Sequence, residues 1–438
     1  MTVASEKTQD GLTREQKQAI GLLSIGTFLE YFDLMLYVHM AVLLNELFFP
    51  IADPHAAALF TAFAYCSTYI LRPFGALLFG YIGDSIGRKH TVVITTLLMA
   101  LSCIVMANLP TYAEIGISAA WIVTIVRMIQ GISSVGEITG AQIYLSEITK
   151  TPKQYAVVAS ITFFAALGSV VALTVALFAT NYSFNWRVAF WIGAGIALIG
   201  SYARATLRET PEFANAQNRL KTYNKKIGKD TKHFEKNTFS NPVKKLTSIS
   251  LFLVKLGNPV CFYITYIHYG NFLKNTFFYT SAQVVSHNFI VGLIYLIGCA
   301  IQLYMSTKIS SLKIVKVKFV IFIIFLLSFP ISFKAISTPF HLFLFQSVLI
   351  IFALSNYPAN AIFFKHFPVL KRFTYTCVIH AVSHASIYVI TSFGLIYLVK
   401  WFDQIGVLFI LLPVSICFGI GLHYFDKLEK EVRVDLLT

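Results

Sequence analysis

Apolar positions gather into twelve long stretches, separated by short connections rich in glycine, proline and charge. Six run over about 19–44, 56–82, 90–108, 117–144, 155–179 and 187–206, and six more over about 247–272, 283–306, 314–335, 339–363, 372–399 and 404–425. A helix needs about 20 largely apolar residues to cross a bilayer, so each stretch is a predicted transmembrane helix. The expected fold class is an all-α polytopic membrane protein. Between the two sets the pattern stops. From Arg204 to Lys245 there are eleven Lys/Arg against four Asp/Glu, and no helical period persists. The chain thus divides into an N-terminal segment (1–18), a six-helix half (19–206), a basic linker (207–246), a second six-helix half (247–425) and a tail (426–438). An even number of spans places both ends on one side.

Composition agrees with this pattern. Of the 438 residues, 56% are hydrophobic and 13% charged, with a mean hydropathy of +0.69. Soluble domains carry about 25% charged residues. The net charge of +15 raises the possibility of nucleic acid as a partner, but its placement excludes that reading. Arg88 and Lys89, Lys150 and Lys153, Lys308 to Lys318, and Lys365, Lys371 and Arg372 fall in loops on the N-terminal side, and the opposite loops hold isolated cations. Cations concentrate on the cytoplasmic side of membrane proteins, so both termini are expected there, with the linker lying near anionic lipid. Met1 to Gln18 is polar and is expected not to be a cleaved leader. The six cysteines lie inside apolar runs without paired or metal-ligand spacing and read as small core residues. No Walker loop, zinc spacing or nucleophile motif is present, so an enzyme is not expected.

The chemistry-bearing residues stand inside the first half. Gly26, Glu30, Asp33 and Tyr37 are spaced by four, three and four and share one face of the first helix. The two carboxylates lie roughly 18–22 Å above the cytoplasmic end at 1.5 Å per residue. A charge at that depth costs about 2.5–3.5 kcal/mol and marks a pathway or proton relay, a structural ion pair being the alternative. Arg72, in Arg72-Pro73-Phe74-Gly75, lies at a similar depth and either pairs with a first-helix carboxylate or binds a solute carboxylate; Pro73 is expected to bend the helix. In the fourth helix Arg127, Gln130, Gly131 and Ser134 share a face, as a binding surface does, so Arg127 is expected to contribute more to binding than Arg72. Asp33 is the expected proton carrier, supported by Glu30. Arg127, Arg72, Gln130 and Tyr37 are the expected solute contacts.

Gly80-Tyr81-Ile82-Gly83-Asp84-Ser85-Ile86-Gly87-Arg88-Lys89 reads as a tight loop at the cytoplasmic face. It resembles the loop between helices 2 and 3 of major facilitator superfamily transporters. Together with Glu30-Tyr31-Phe32-Asp33, Arg72-Pro73-x-Gly75, Arg127-x-x-Gln130-Gly131, Gly136-Glu137-x-x-Gly140, Tyr144-Leu145-Ser146-Glu147, Trp186-Arg187-x-x-Phe190 and Glu209-Thr210-Pro211, it resembles the metabolite:proton symporter family, which includes proline/betaine transporters. These motifs cover about residues 26–213. The resemblance implies the major facilitator fold and alternating access between two six-helix bundles in a bacterial inner membrane. It implies uptake of a small solute driven by a proton gradient, with no cofactor and a monomeric protein. It also gives Gly80, Gly83, Asp84, Gly87, Arg88 and Glu137 a gating role.

The second half departs from that pattern. Its loop Met305 to Lys313 lacks the Gly-Asp and Gly-Arg elements of an internal repeat. Lys255, His380 and His384 lie in its spans; histidine titrates near neutral pH but is also a common packing residue. Asn356, Pro358 and Asn360 either line a cavity or satisfy helix–helix bonds. The expected function is proton-coupled symport of a small zwitterionic or carboxylate metabolite such as proline or betaine. An organic acid transporter is the alternative. A drug antiporter is disfavoured because Ile161 to Phe178 holds one glycine and no proline, and a transport-dead sensor on the same fold is a further reading.

Overall fold

A computed structural model of the chain describes residues 11–49, 63, 66–86, 88–134, 137–181, 185–205 and 243–435. Among these residues the regular structure is helical, with no strand. The first half contains α1 (Arg14–Phe48), α2 (Arg72–Ser85), α3 (Arg88–Asn108), α4 (Ile117–Ser133), α5 (Glu137–Ile148), α6 (Lys153–Asn181) and α7 (Trp186–Ala205). The second contains α8 (Lys245–Lys255), α9 (Gly257–Tyr263), a π-helical turn (Ile264–His268), α10 (Tyr269–Phe277), α11 (Ser281–Ser306), α12 (Ser311–Lys334), α13 (Pro339–Ile351), α14 (Asn360–Phe364), α15 (Val369–Phe402) and α16 (Leu408–Asp435). Seven helical stretches among the described residues are long and apolar enough to cross a membrane. On α12, Ile324, Leu327 and Ile331 point outward while Phe322, Leu326 and Phe329 are buried. An apolar surface outside an apolar core is what a hydrocarbon solvent permits.

Several boundaries move from their sequence positions for local reasons. The first helix begins inside the segment read as a polar terminus, because Thr13 and Gln16 exchange side-chain bonds at its start. Pro73 does not bend a continuous helix: a turn at Leu71 ends residues 66–70, and Pro73 occupies the first turn of α2, where a missing N–H costs nothing. The Gly80–Lys89 loop is shorter than expected, since α2 runs to Ser85 and α3 starts at Arg88. The seventh span is interrupted at Leu256, just before Gly257-Asn258-Pro259 in the first turn of α9, and the tenth unwinds between Ile351 and Asn360. Pro358 removes a donor there, and the Tyr357 hydroxyl donates to the Cys299 carbonyl at 2.7 Å while Lys318 Nζ donates to Ser355 Oγ at 2.9 Å. Non-helical backbone at membrane depth is tolerated when protein surrounds it. The twelfth span continues as helix to Asp435, through most of the segment read as a tail. The basic linker lies outside the described residues up to position 242.

Glycine sets the closest approaches. A Cβ on Gly131 would stand 1.9 Å from the Thr68 carbonyl oxygen, one on Gly75 2.3 Å from that of Ile132, and one on Gly168 2.2 Å from that of Phe28. The second span thus touches α4, and α6 touches α1, backbone to backbone. Because the obstruction is main chain, it cannot swing aside. Gly131→Ala is expected to destabilise at or above the upper end of the roughly 1–3 kcal/mol that overpacking costs. The thermal midpoint of purified protein in detergent checks this, with Gly21→Ala, whose Cβ meets nothing within 4 Å, as the control.

The halves meet along two seams, α6 against α11 and α15 against α2. At one end of these seams the start of α15 wedges into the first half. Thr374 lies against Gly80, Phe373 against Gly140, and Arg372 Nη1 donates to Glu147 Oε1 at 3.2 Å. This is the face carrying the loops after the second, fourth, eighth and tenth spans. On it Lys316 pairs with Asp426 at 2.5 Å, and Glu429 pairs with Lys365 at 2.7 Å and His366 at 2.8 Å. Burial raises the Glu429 carboxyl, but hydrogen bonds from His366 and Lys365 outweigh it and hold the group below the ordinary glutamate value.

Candidate functional site

Two polar constellations occupy the interior, and they are distinct. The first is closed inside the first half. Asp33 on α1 is 1% exposed; its Oδ1 accepts from Cys103 Sγ on α3 and its Oδ2 from Gln130 Nε2 on α4. The other end of the Gln130 amide accepts from Arg127 Nη1, and the Arg127 guanidinium stacks 3.8 Å from the centre of the Tyr37 ring. Gly193 of α7 packs against this pair: a Cβ there would stand 3.2 Å from Cys103 Sγ, tighter than ordinary contact, and 3.6 Å from Asp33 Oδ1. The amide is therefore an oriented coupler, with its N–H₂ toward the carboxylate and its oxygen toward the cation. A proton on Asp33 Oδ2 would oppose the amide donor, force it to turn and change what Arg127 meets.

The second constellation lines a cavity of about 110 Å³ between the halves. Arg72, Tyr31 and Tyr69 come from the first half, and Tyr388, His380 and His384 from α15. The Arg72 guanidinium sits 4.2 Å from the Tyr69 ring centre, and Tyr69 and Tyr388 are tilted rings 4.2 Å apart. Arg72 is 5% exposed, and its Nε and Nη2 have no hydrogen-bond partner among the described residues. Planar cations with unused donors hold carboxylates in bidentate fashion.

The residues singled out from sequence therefore separate. Asp33, Gln130, Arg127 and Tyr37 form one network, and Arg72 belongs to the cavity. Glu30 is buried on α1 next to Tyr31, on which both it and Arg72 act through their charge. Arg127, expected to contribute more to binding because it shares a face with Gln130, turns with that face into the bundle and is not among the residues lining this cavity. Gly80 packs at the seam, whereas Gly87 and the side-chain positions of Gly83, Asp84, Arg88 and Glu137 lie outside the described residues. Sequence reading missed Cys103, taken for a packing residue, and His39, which lines the cavity from α1. No spacing signal links Cys103 to Asp33, because 70 residues separate them.

Two helical bundles closing on a polar cavity at mid-depth define the architecture of a membrane transporter. A family model for the Major Facilitator Superfamily matches residues 23–389, and the chain belongs to that superfamily. Membership removes the enzyme reading and makes this an integral membrane protein. The proline/betaine transporter of Salmonella typhimurium (strain LT2) is 34% identical over 211 residues, 47% of this chain and 42% of that relative. The inner membrane metabolite transport protein YhjE of Escherichia coli (strain K12) is 37% identical over 198 residues, 43% of this chain and 45% of that relative. Each match thus spans less than half of the relative. Among solved structures, the proton:xylose symporter XylE bound to 6-bromo-6-deoxy-D-glucose aligns over 94% of this chain and 95% of its own. Its TM-score is 0.77 at 16% identity, which establishes the shared fold.

Proposed function

We propose that the protein is a proton-coupled symporter that takes up a small zwitterionic or carboxylate metabolite by alternating access. The observation that carries this reading is Arg72, which presents buried, unused N–H donors to a cavity shared by both halves. Asp33 and its Gln130–Arg127 relay supply a buried carboxylate whose protonation alters the first half from within. Relatives named proline/betaine transporters support a solute with a carboxylate, and an organic acid meets the same requirement. The positive face of the loops is the cytoplasmic one in this reading, with both termini on it. The carboxylate passes between the halves bound to Arg72, while Asp33 binds its proton on one side of the membrane and releases it on the other.

Purified protein in liposomes, given labelled glycine betaine, proline or succinate, tests this directly. Accumulation driven by an imposed proton gradient supports it, and its absence for all three rejects it. Within the reading, Arg72→Lys keeps the charge but loses the planar donor pair, so binding should weaken by about tenfold or more, equivalent to about 1.4 kcal/mol. Arg127→Lys should weaken it less, because Arg127 acts through Gln130. Equilibrium binding titrations of the two variants settle the ranking.

A further inference from the structure

The cavity has a feature that the first-half network does not explain. Its described lining residues include His39, Arg72, His380 and His384 but no aspartate or glutamate. The two α15 imidazoles are one turn apart with ring centres 3.9 Å from each other. His384 Nδ1 lies 2.9 Å from the His380 backbone carbonyl, which can only accept, so Nδ1 carries the hydrogen and Nε2 is the nitrogen left to take a proton. His380 Nδ1 is buried with no hydrogen-bond partner among the described residues.

Among the described residues, the fixed charges that act on the pair are both cations, and the other titratable groups lining the cavity are tyrosines and His39. Arg72 comes from α2 and Lys255 from α8, and both act on the imidazoles through their charge. Tyr388 from α15 presents a ring edge 6.0 Å from His384; Tyr69 beside Arg72, Tyr31 from α1, and Tyr266 and Tyr295 from the second half complete the titratable wall. A proton added to either imidazole therefore joins two fixed cations in a water-poor site. It needs an anion at the same moment. A carboxylate held by Arg72 would supply that anion.

We propose that His380 and His384 form a second-half protonation site which closes on the solute's carboxylate opposite Arg72, so that carboxylate and proton bind together. This rests on the transport reading above, and adds that proton binding occurs in the second half as well as at Asp33. The step is an acid–base addition: one proton from solvent bonds to an imidazole nitrogen, and the new cation pairs with the carboxylate. On release both leave together.

Isothermal titration of full-length protein in detergent, run in two buffers of different ionisation enthalpy, counts protons taken up per bound solute. The probes are glycine betaine, L-proline and succinate. At pH 7.5 the wild type should take up close to one proton with each bound solute, and affinity should fall about tenfold per pH unit above that point. His384→Gln should lose the uptake and flatten the pH profile, whereas Gly21→Ala, whose Cβ meets nothing within 4 Å, should keep both. L-Prolinamide, which lacks the carboxylate, should drive no uptake in the unmodified protein, a check that needs no variant. Binding without proton uptake, in protein that still accumulates solute under a proton gradient, overturns the histidine site alone. Uptake that survives His384→Gln and His380→Gln but vanishes in Asp33→Asn also overturns it. Failure of every probe to bind or accumulate overturns it together with the transport reading.

Discussion

Asp33→Asn is expected to reduce proton-driven accumulation to the level of empty liposomes, while exchange of labelled for unlabelled solute at equal concentrations survives at least in part. The substitution preserves size and imitates the protonated carboxyl. In the present geometry Oδ1 and Oδ2 each accept one hydrogen bond, from Cys103 and Gln130. An asparagine can accept at only one of those positions, so one donor loses its partner, a cost of about 1–3 kcal/mol in a buried site. That loss is smaller than what unfolds a protein of this size, so folded, exchanging protein should be recoverable. The relay would then be fixed in one state: Gln130 no longer reports a change of charge to Arg127. Accumulation that persists in Asp33→Asn under a pure proton gradient would move the coupling site elsewhere, to the His380–His384 pair or to the buried Glu30.

The second large effect is conformational. Arg372 and Glu147 are both buried at the seam, with side chains 11% and 0% exposed, and they belong to different halves. Removing one partner of a buried ion pair leaves an uncompensated charge and costs about 3–5 kcal/mol. In Glu147→Gln that cost falls only on the conformation in which the start of α15 is wedged against α5. The seam should therefore open more often, by roughly two orders of magnitude for a loss of 3 kcal/mol. Cys377, fully buried on α15 one turn beyond Phe373, is a built-in reporter. Its labelling by a membrane-permeant maleimide should accelerate by about that factor. Unchanged labelling would mean that the pair does not hold the seam shut.

Much of this arrangement is legible in the chain, and the gaps have physical causes. Apolar length and cation placement suffice for the spans, because the bilayer imposes a fixed thickness and leaves little room for alternatives. The close approach at Gly131 is legible as a small residue on one face of the fourth span; those at Gly75 and Gly168 are not. The depth of Asp33 and Arg72 follows from counting residues. Which polar groups meet does not follow, since facing depends on helix rotation. Arg127 and Arg72 have similar depth and similar neighbours in sequence, yet one turns into its bundle and the other into the cavity. The sequence pattern predicts one helix over about 339–363, and the unwinding around Pro358 is not legible in it, because it depends on a donor from Lys318 and on the Cys299 carbonyl, far away in the chain.

The last turns of α16 have a mechanical consequence. Asp426 is tied to Lys316 on α12, and Glu429 to Lys365 and His366 in the loop ahead of α15, so α16, α12 and that loop share struts at one end. The tie across to the first half at that end, Arg372 to Glu147, sits directly beside this braced corner. A rocking motion delivers its stroke to the cavity only if each arm resists bending. With the struts in place, load applied at the seam passes along α15 to the tyrosine and histidines on the cavity wall. A second half cut short near residue 425 would still span the bilayer, but it would be a compliant arm, and part of each stroke would be spent flexing it.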